Sequence, residues 1–167
     1  MIDNKFIIPE CYGDTALIEC LGYSDPNHQK GVGNVLNALE KKGYRDRKVV
    51  CIIDNDKKLP KLVRSMRQLK EENGLKMLQH ENGLHHFIIV HPALDYWIFN
   101  CSKLADIHPT AYSIPDDFKD FKNYVKRKDV DQDADFVLFL KAIKKFNPKP
   151  FSTLKSWLDE FMTNQWK

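Results

Sequence analysis

Short apolar runs alternate, over roughly the first hundred residues, with segments in which apolar residues recur at helical spacing. The runs are typical of strands buried on both faces of a sheet. Four strands are predicted, at residues 5–8, 49–53, 75–79 and 86–90. Four helices are predicted between and after them, at residues 14–21, 34–43, 60–74 and 92–104. This alternation predicts an α/β fold with a mostly parallel sheet flanked by helices.

Beyond Pro109 the pattern is helical only. Three apolar stripes predict further helices, on Phe118, Phe121 and Val125, on Val137, Leu140 and Ile143, and on Leu154, Trp157, Leu158 and Phe161. A chain of 167 residues is long enough for one domain with a real core and too short for two ordinary ones. We therefore expect an α/β core over 1–110 and a helical extension over 111–167 that packs on the same domain.

Acidic residues stand where the predicted strands end. Glu10 follows the first strand, and Asp54 and Asp56 follow the second. Asp14 lies in the first strand-to-helix turn, and Asp95 lies one helical turn beyond the end of the strand at 86–90. Sites in open α/β sheets form at the carboxyl ends of the strands. If these strands are parallel neighbours, the carboxylates gather at one edge of the sheet.

Carboxylates that crowd together repel one another unless a cation neutralises them. Ligands that are all oxygen suit a hard ion such as Mg²⁺ or Mn²⁺, which serves phosphoryl chemistry. The sequence therefore predicts a metal site that draws on Glu10, Asp14, Asp54, Asp56 and Asp95. Ordinary structural roles are the alternative, because Asp54 and Asp56 can cap a helix or form a turn, and acids are favoured near the helix starts at Asp14 and Asp95.

Basic residues accompany these acids. Lys57, Lys58 and Lys61 follow the second strand, where a phosphate backbone would meet them, and Lys30 lies in a polar loop that can reach phosphate. Other basic clusters, including 126–128, are equally typical of solvated helix faces. The net charge of +3 permits a nucleic acid as partner without requiring one, and a protein partner is the other expectation.

Several classes of protein are disfavoured by what the sequence lacks. It contains no Cys-x-x-Cys, no His-Glu-x-x-His and no Gly-x-x-x-x-Gly-Lys-Ser/Thr, so a zinc hydrolase or a P-loop enzyme is not supported. Its cysteines are interpreted as reduced and buried, except Cys11, which follows Glu10 and would need a histidine base to act as a nucleophile. No apolar run approaches the ~20 residues of a membrane span, and we expect a cytoplasmic protein without membrane contact.

Two segments resemble the carboxylate motifs of the Toprim fold, which has a Glu after its first strand and an Asp-x-Asp after a later one. They are 7–14 (IIPECYGD) and 52–56 (IIDND). Segment 91–97 (HPALDYW) is similar to the Pro-x-x-Glu-x-Trp segment of RloB-like proteins, which are small Toprim-related proteins associated with bacterial defence. Overcoming-lysogenization-defect nucleases belong to the same fold family. The C-terminal helices carry no part of this resemblance.

The resemblance implies that Glu10 acts as general base or metal ligand, that Asp54 and Asp56 bind Mg²⁺, and that the reaction is phosphodiester cleavage in DNA or RNA. A metal-dependent nuclease, by analogy in bacterial defence, is thus the leading expectation. Two departures keep alternatives open: Cys11 and Tyr12 separate Glu10 from the motif glycine, and Asp95 replaces a Glu. The alternatives are a non-catalytic nucleic-acid- or partner-binding module on a degenerate Toprim-like fold, and a small-molecule phosphohydrolase.

Overall fold

One mixed five-stranded sheet organises the computed structural model, which describes residues 3–55 and 58–163. The strands are β1 (Ile7–Pro9), β2 (Val49–Asp54), β3 (Arg67–Glu72), β4 (Leu75–Gln79) and β5 (His85–Val90). Their order in the sheet is β1-β2-β5-β4-β3. β1, β2 and β5 run parallel, whereas β4 is antiparallel to both β5 and β3. The α/β class is confirmed. The sheet is mixed: its three parallel strands lie together on one side, and β4 and β3 complete the other side in antiparallel pairing.

Helices cover both faces of the sheet. They are α1 (Tyr12–Cys20), α2 (Val32–Leu39), α3 (Lys61–Arg64), α4 (Leu94–Leu104), α5 (Phe118–Val125), α6 (Ala134–Phe146) and α7 (Lys149–Met162). Short 3-10 turns lie at Asn4–Phe6, Pro109–Tyr112 and Val130–Gln132. Among the described residues, no helix is both long enough and apolar enough to cross a membrane.

The parallel strands are continuous apolar runs because both of their faces are buried. One face, with Val50 and Ile88, packs against α1 and α4–α7 in a single apolar cluster. The other face, with Cys51 and Phe87, packs against α2 and the buried Val63 of α3. The first cluster contains residues from both 1–110 and 111–167, so the C-terminal helices contribute to the main core.

The helix predicted at 60–74 is wrong beyond its first turn. α3 ends at Arg64, and the chain then forms β3, whose side chains are exposed apart from the half-buried Leu69. Asn73 and Gly74 both adopt positive φ angles, of 52° and 73°, which turn the chain into β4. An edge strand with one apolar residue carries almost no alternating pattern, so its pairing with β4 is what selects the strand.

Candidate active site

The carboxyl ends of β1, β2 and β5 lie side by side, as the sequence predicts. In the ladder, Pro9 pairs with Ile52, and Asp54 pairs with Val90. The residues that follow these ends therefore meet at one edge of the sheet, where α1 and α4 begin. This edge brings together Glu10, Asp14, Asp54 and Asp95, while Asp56 and Lys57 lie outside the described residues.

Glu10 joins the end of β1 to the end of β2. Its side chain is 7% exposed, and Oε2 accepts a hydrogen bond of 3.0 Å from the backbone N–H of Asp54. Asp54 in turn connects β2 to α4, because Oδ1 accepts a bond of 2.9 Å from the N–H of Leu94 in the first turn of that helix. Hydrogen bonds through the two carboxylates thus fix three elements at the edge.

Asp14 lies fully buried behind this pair. It belongs to a capping box, in which its Oδ2 accepts from the N–H of Cys11 at 3.1 Å and the Sγ of Cys11 accepts from its own N–H at 3.3 Å. Its Oδ1 has no hydrogen-bond partner among the described residues. Burial, followed by the negative charges of Asp54 and Glu10, raises the pKa of the Asp14 carboxyl well above its usual value.

Asp95 is buried in a different electrostatic environment. It is 3% exposed, and its Oδ1 accepts from the N–H of Tyr96 at 2.7 Å. Its Oδ2 lies 3.7 Å from the Nζ of Lys126, at the end of α5. The chain therefore supplies Asp95 with a cation of its own, whereas Asp14 is surrounded by other acids.

A cleft of about 470 Å³ opens over this edge. Glu10, Asp54 and Asp95 line it together with four basic side chains, those of Lys30, Lys126, Arg127 and Lys128. Lys30 lies at the cleft, in line with its predicted contact with phosphate. Lys58 and Lys61 are exposed and do not line the cleft.

The basic segment 126–128 was not among the residues predicted for this site. Val125, which ends α5, is 4% exposed, and its Cγ1 lies 3.2 Å from where a Cβ on Gly13 would stand. This close approach of α5 to the first turn of α1 carries the three cations to the cleft. The run of basic residues at 126–128 is visible in the sequence. The sequence near α5 does not indicate that this helix packs against the first turn of α1.

Two other residues at the cleft, Cys11 and His28, differ in what they can do. Burial and the charges of Asp14 and Asp54 raise the pKa of Cys11 well above that of a free thiol, which opposes a nucleophilic role. His28 stacks on Tyr12, with ring centroids 4.4 Å apart, and its Nδ1 lies 2.8 Å from the Oγ1 of Thr15. Burial lowers the pKa of His28, so the ring is neutral at pH 7.

The donor set suits a hard divalent cation, because it consists of carboxylates and includes the unpartnered Oδ1 of Asp14. Within 3–55 and 58–163, however, no three side chains of His, Cys, Asp or Glu form a group that could hold a metal ion. Mg²⁺ commonly binds through one or two carboxylates while keeping several waters, so a group of three is not required of the protein. Glu10, Asp54 and Asp14 are the described residues best placed to contribute.

Comparisons with known proteins leave the chain without an assigned family. A scan against protein-family models found no match, and neither did searches of curated proteins and of solved structures.

Proposed function

We propose that this protein is a metal-dependent nuclease that hydrolyses phosphodiester bonds in DNA or RNA. One observation carries the proposal: one cleft at the carboxyl ends of the parallel strands is lined by the carboxylates of Glu10, Asp54 and Asp95 and by four basic side chains. The acids fit a cation, and the basic residues fit the phosphates of a polyanion. The Toprim resemblance of segments 7–14 and 52–56 favours the same chemistry.

The roles proposed for the acids follow from their surroundings. Asp54, with Asp56 beyond it, is assigned to Mg²⁺ or Mn²⁺, and Glu10 is assigned as a metal ligand or as the base that accepts a proton from water. A bound Mg²⁺ ion would stabilise negative charge on the phosphoryl oxygens. Asp14 would add its unpartnered oxygen from beneath. The ion pair of Asp95 with Lys126 favours a role for Asp95 in positioning that lysine rather than in binding metal.

A nuclease assay with matched variants tests the proposal. The wild-type protein is incubated with single-stranded and duplex DNA and RNA in Mg²⁺ or Mn²⁺, beside Asp54→Asn, Asp56→Asn and the control Asp106→Asn. Asp106 is exposed and has a left-handed φ of 55°, which Asn tolerates well, so the control keeps the fold and the same change of charge.

We expect metal-dependent cleavage by the wild type and by Asp106→Asn. Asp54→Asn should lower the rate by roughly 100-fold or more, the scale seen when a group that stabilises transition-state charge is removed. Cleavage that persists in chelator, that is equal in Asp54→Asn, or that is absent with every substrate would overturn the proposal.

A second candidate is a binding module without catalysis. The observation that favours it is that Glu10 and Asp54 each already accept a backbone hydrogen bond, so their carboxylates act as structural clamps in this state. A module of this kind binds nucleic acid equally well in chelator and in Mg²⁺, and it cleaves nothing. The same assay, run beside a binding titration, separates the two candidates.

A further inference from the structure

We propose that this cleft selects single-stranded nucleic acid, with backbone phosphates against Lys30 and Lys128 and a base stacked on Tyr12. The proposal uses the same cleft as the proposed function and in that sense rests on it. It adds the class of substrate and the residues that choose it.

The basic side chains that would meet phosphate come from two separate segments of the chain. Lys30 lies in the loop that precedes α2, and Lys126, Arg127 and Lys128 follow α5. Lys30 and Lys128 are exposed, and Lys126 pairs with Asp95 on the floor. A strand whose phosphates contact these cations would lie in the cleft that Glu10 and Asp54 also line.

The segment 126–128 is held in place before any ligand arrives. The guanidinium of Arg127 lies 3.8 Å from the centre of the Tyr124 ring and forms a hydrogen-bonded ion pair with Asp133. Val125 is buried against the first turn of α1. Because these contacts hold Val125 and Arg127 in the free protein, ligand binding has less of this segment to order.

The size of the cleft favours one strand over two. About 470 Å³ lies within the ~300–1,000 Å³ typical of sites that enclose a small molecule. A site of this volume can enclose part of one strand, whereas both paired strands of a duplex need more enclosed space than it offers. A single strand can send one phosphate and one base inside while the rest of it lies over the rim.

A stacking surface is already formed at the wall. Tyr12 and His28 are half-buried, line the cleft, and stack with an interplanar angle of 27°. The Oγ1 of Thr15 donates to the carbonyl of Cys11 at 3.0 Å, so it accepts from the Nδ1–H of His28, which fixes the imidazole ring. Stacking on an aromatic side chain favours unpaired bases of any sequence, because the bases of a duplex are already stacked.

Fluorescence anisotropy in chelator measures this preference without cleavage. A labelled single-stranded oligonucleotide and a hairpin duplex are titrated with wild type, Tyr12→Leu, Tyr12→Phe, Lys128→Gln and the control Lys145→Gln, whose lysine is exposed on α6 away from the cleft. Thermal unfolding of each variant verifies that it is folded.

We expect the single strand to bind the wild type at least roughly tenfold more tightly than the duplex. Tyr12→Leu should weaken that binding by roughly 5- to 150-fold, and Tyr12→Phe should restore it because the ring remains. Lys128→Gln should lower the slope of log affinity against log salt by about 0.7, and Lys145→Gln should leave it unchanged.

Equal or tighter binding of the duplex overturns the inference, as does single-strand affinity that neither Tyr12→Leu nor Lys128→Gln changes, or binding of mononucleotides alone. These outcomes are distinct from failure of the proposed function. Metal-dependent duplex cleavage that requires Asp54 would leave a nuclease standing while removing single-strand selection. Tight single-strand binding with no cleavage would do the reverse.

Discussion

Replacing Asp14 with Asn should stabilise the metal-free protein. The carboxylate of Asp14 is fully buried, and its Oδ1 has no hydrogen-bond partner in the described part of the chain. In Asp14→Asn, the amide oxygen can still accept from the N–H of Cys11, which preserves the capping box. The amide nitrogen then takes the place of the unpartnered oxygen and can donate toward the negative charges of Asp54 and Glu10.

The increase in the free energy of unfolding can be estimated from the cost of burying an oxygen without a hydrogen-bond partner. An unsatisfied buried polar group costs ~1–3 kcal/mol, and more when it is charged. For a domain of this size, each kcal/mol shifts the melting temperature by about 2–4 °C. We therefore expect Asp14→Asn to melt roughly 2–12 °C above the wild type near neutral pH.

The stability that Asp14→Asn gains over the wild type should change with pH in one direction. The raised pKa of Asp14 means that the folded state binds its proton more tightly than the unfolded state does. The stability that this proton provides is complete below the unfolded pKa of 3.8 and is lost as pH rises through the folded pKa. The advantage of Asp14→Asn should thus be small in acid and grow with pH.

Urea or thermal unfolding of both proteins in chelator, over a pH series, measures this difference. Asp95→Asn is the comparison variant. The Oδ2 of Asp95 is also buried without a hydrogen-bond partner in the described part of the chain, but the Nζ of Lys126 lies 3.7 Å from it, so this substitution should give a smaller gain. Adding Mg²⁺ should narrow the gap between wild type and Asp14→Asn, by about 2.7 kcal/mol at 100 times the dissociation constant. An Asp14→Asn protein that is no more stable than wild type at neutral pH, or whose advantage grows toward acid, would refute the reasoning.

Two further substitutions test the buried interior, His86 at the start of β5 and Gly13 in the first turn of α1. His86 is 1% exposed, and burial lowers its pKa from 6.5 to about 4, so its contribution to stability is present above pH 6.5 and is lost as pH falls toward 4. In urea titrations, the wild type should lose on the order of 3 kcal/mol of unfolding free energy between pH 6.5 and pH 4 that His86→Gln does not lose. The same dependence of unfolding free energy on pH in both proteins would contradict this prediction. Gly13→Ala places a Cβ 2.9 Å from Leu94 Cδ2 and should cost ~1–3 kcal/mol in thermal unfolding, whereas Gly33→Ala, with open space around its Cα, should not.

The parallel half of the fold was predictable because burial on both faces leaves continuous apolar runs in the sequence. β2 and β5 show this directly, and the carboxyl ends of β1, β2 and β5 bring Glu10, Asp54 and Asp95 to one edge. β3 was not predictable from the sequence. Its side chains are mostly exposed, and its backbone pairing with β4 is what makes this segment a strand. The helical spacing of apolar residues that ends at Leu69 therefore predicted a helix where the chain forms β3.

The candidate site divides in the same way. The positions of residues that follow strand ends can be predicted from local sequence, because the carboxyl ends of parallel strands lie at one edge of the sheet. The basic wall depends instead on contacts between elements far apart in the chain, such as that of Val125 with the first turn of α1. The stacking of His28 on Tyr12 is equally non-local, because the loop that carries His28 folds back along β1, with the N–H of Gln29 bonded to the carbonyl of Pro9.

The two buried acids that differ most, Asp14 and Asp95, explain why the C-terminal helices matter to the site. Lys126 compensates Asp95 only because α5 packs beside α4 and against the first turn of α1. Without Lys126, the carboxylate of Asp95 would lack its neighbouring cation, as that of Asp14 does. The segment after α5 therefore stabilises the acidic edge and also supplies the basic wall of the cleft. Deleting the C-terminal helices to isolate the α/β core would therefore change the charge balance of the proposed site itself.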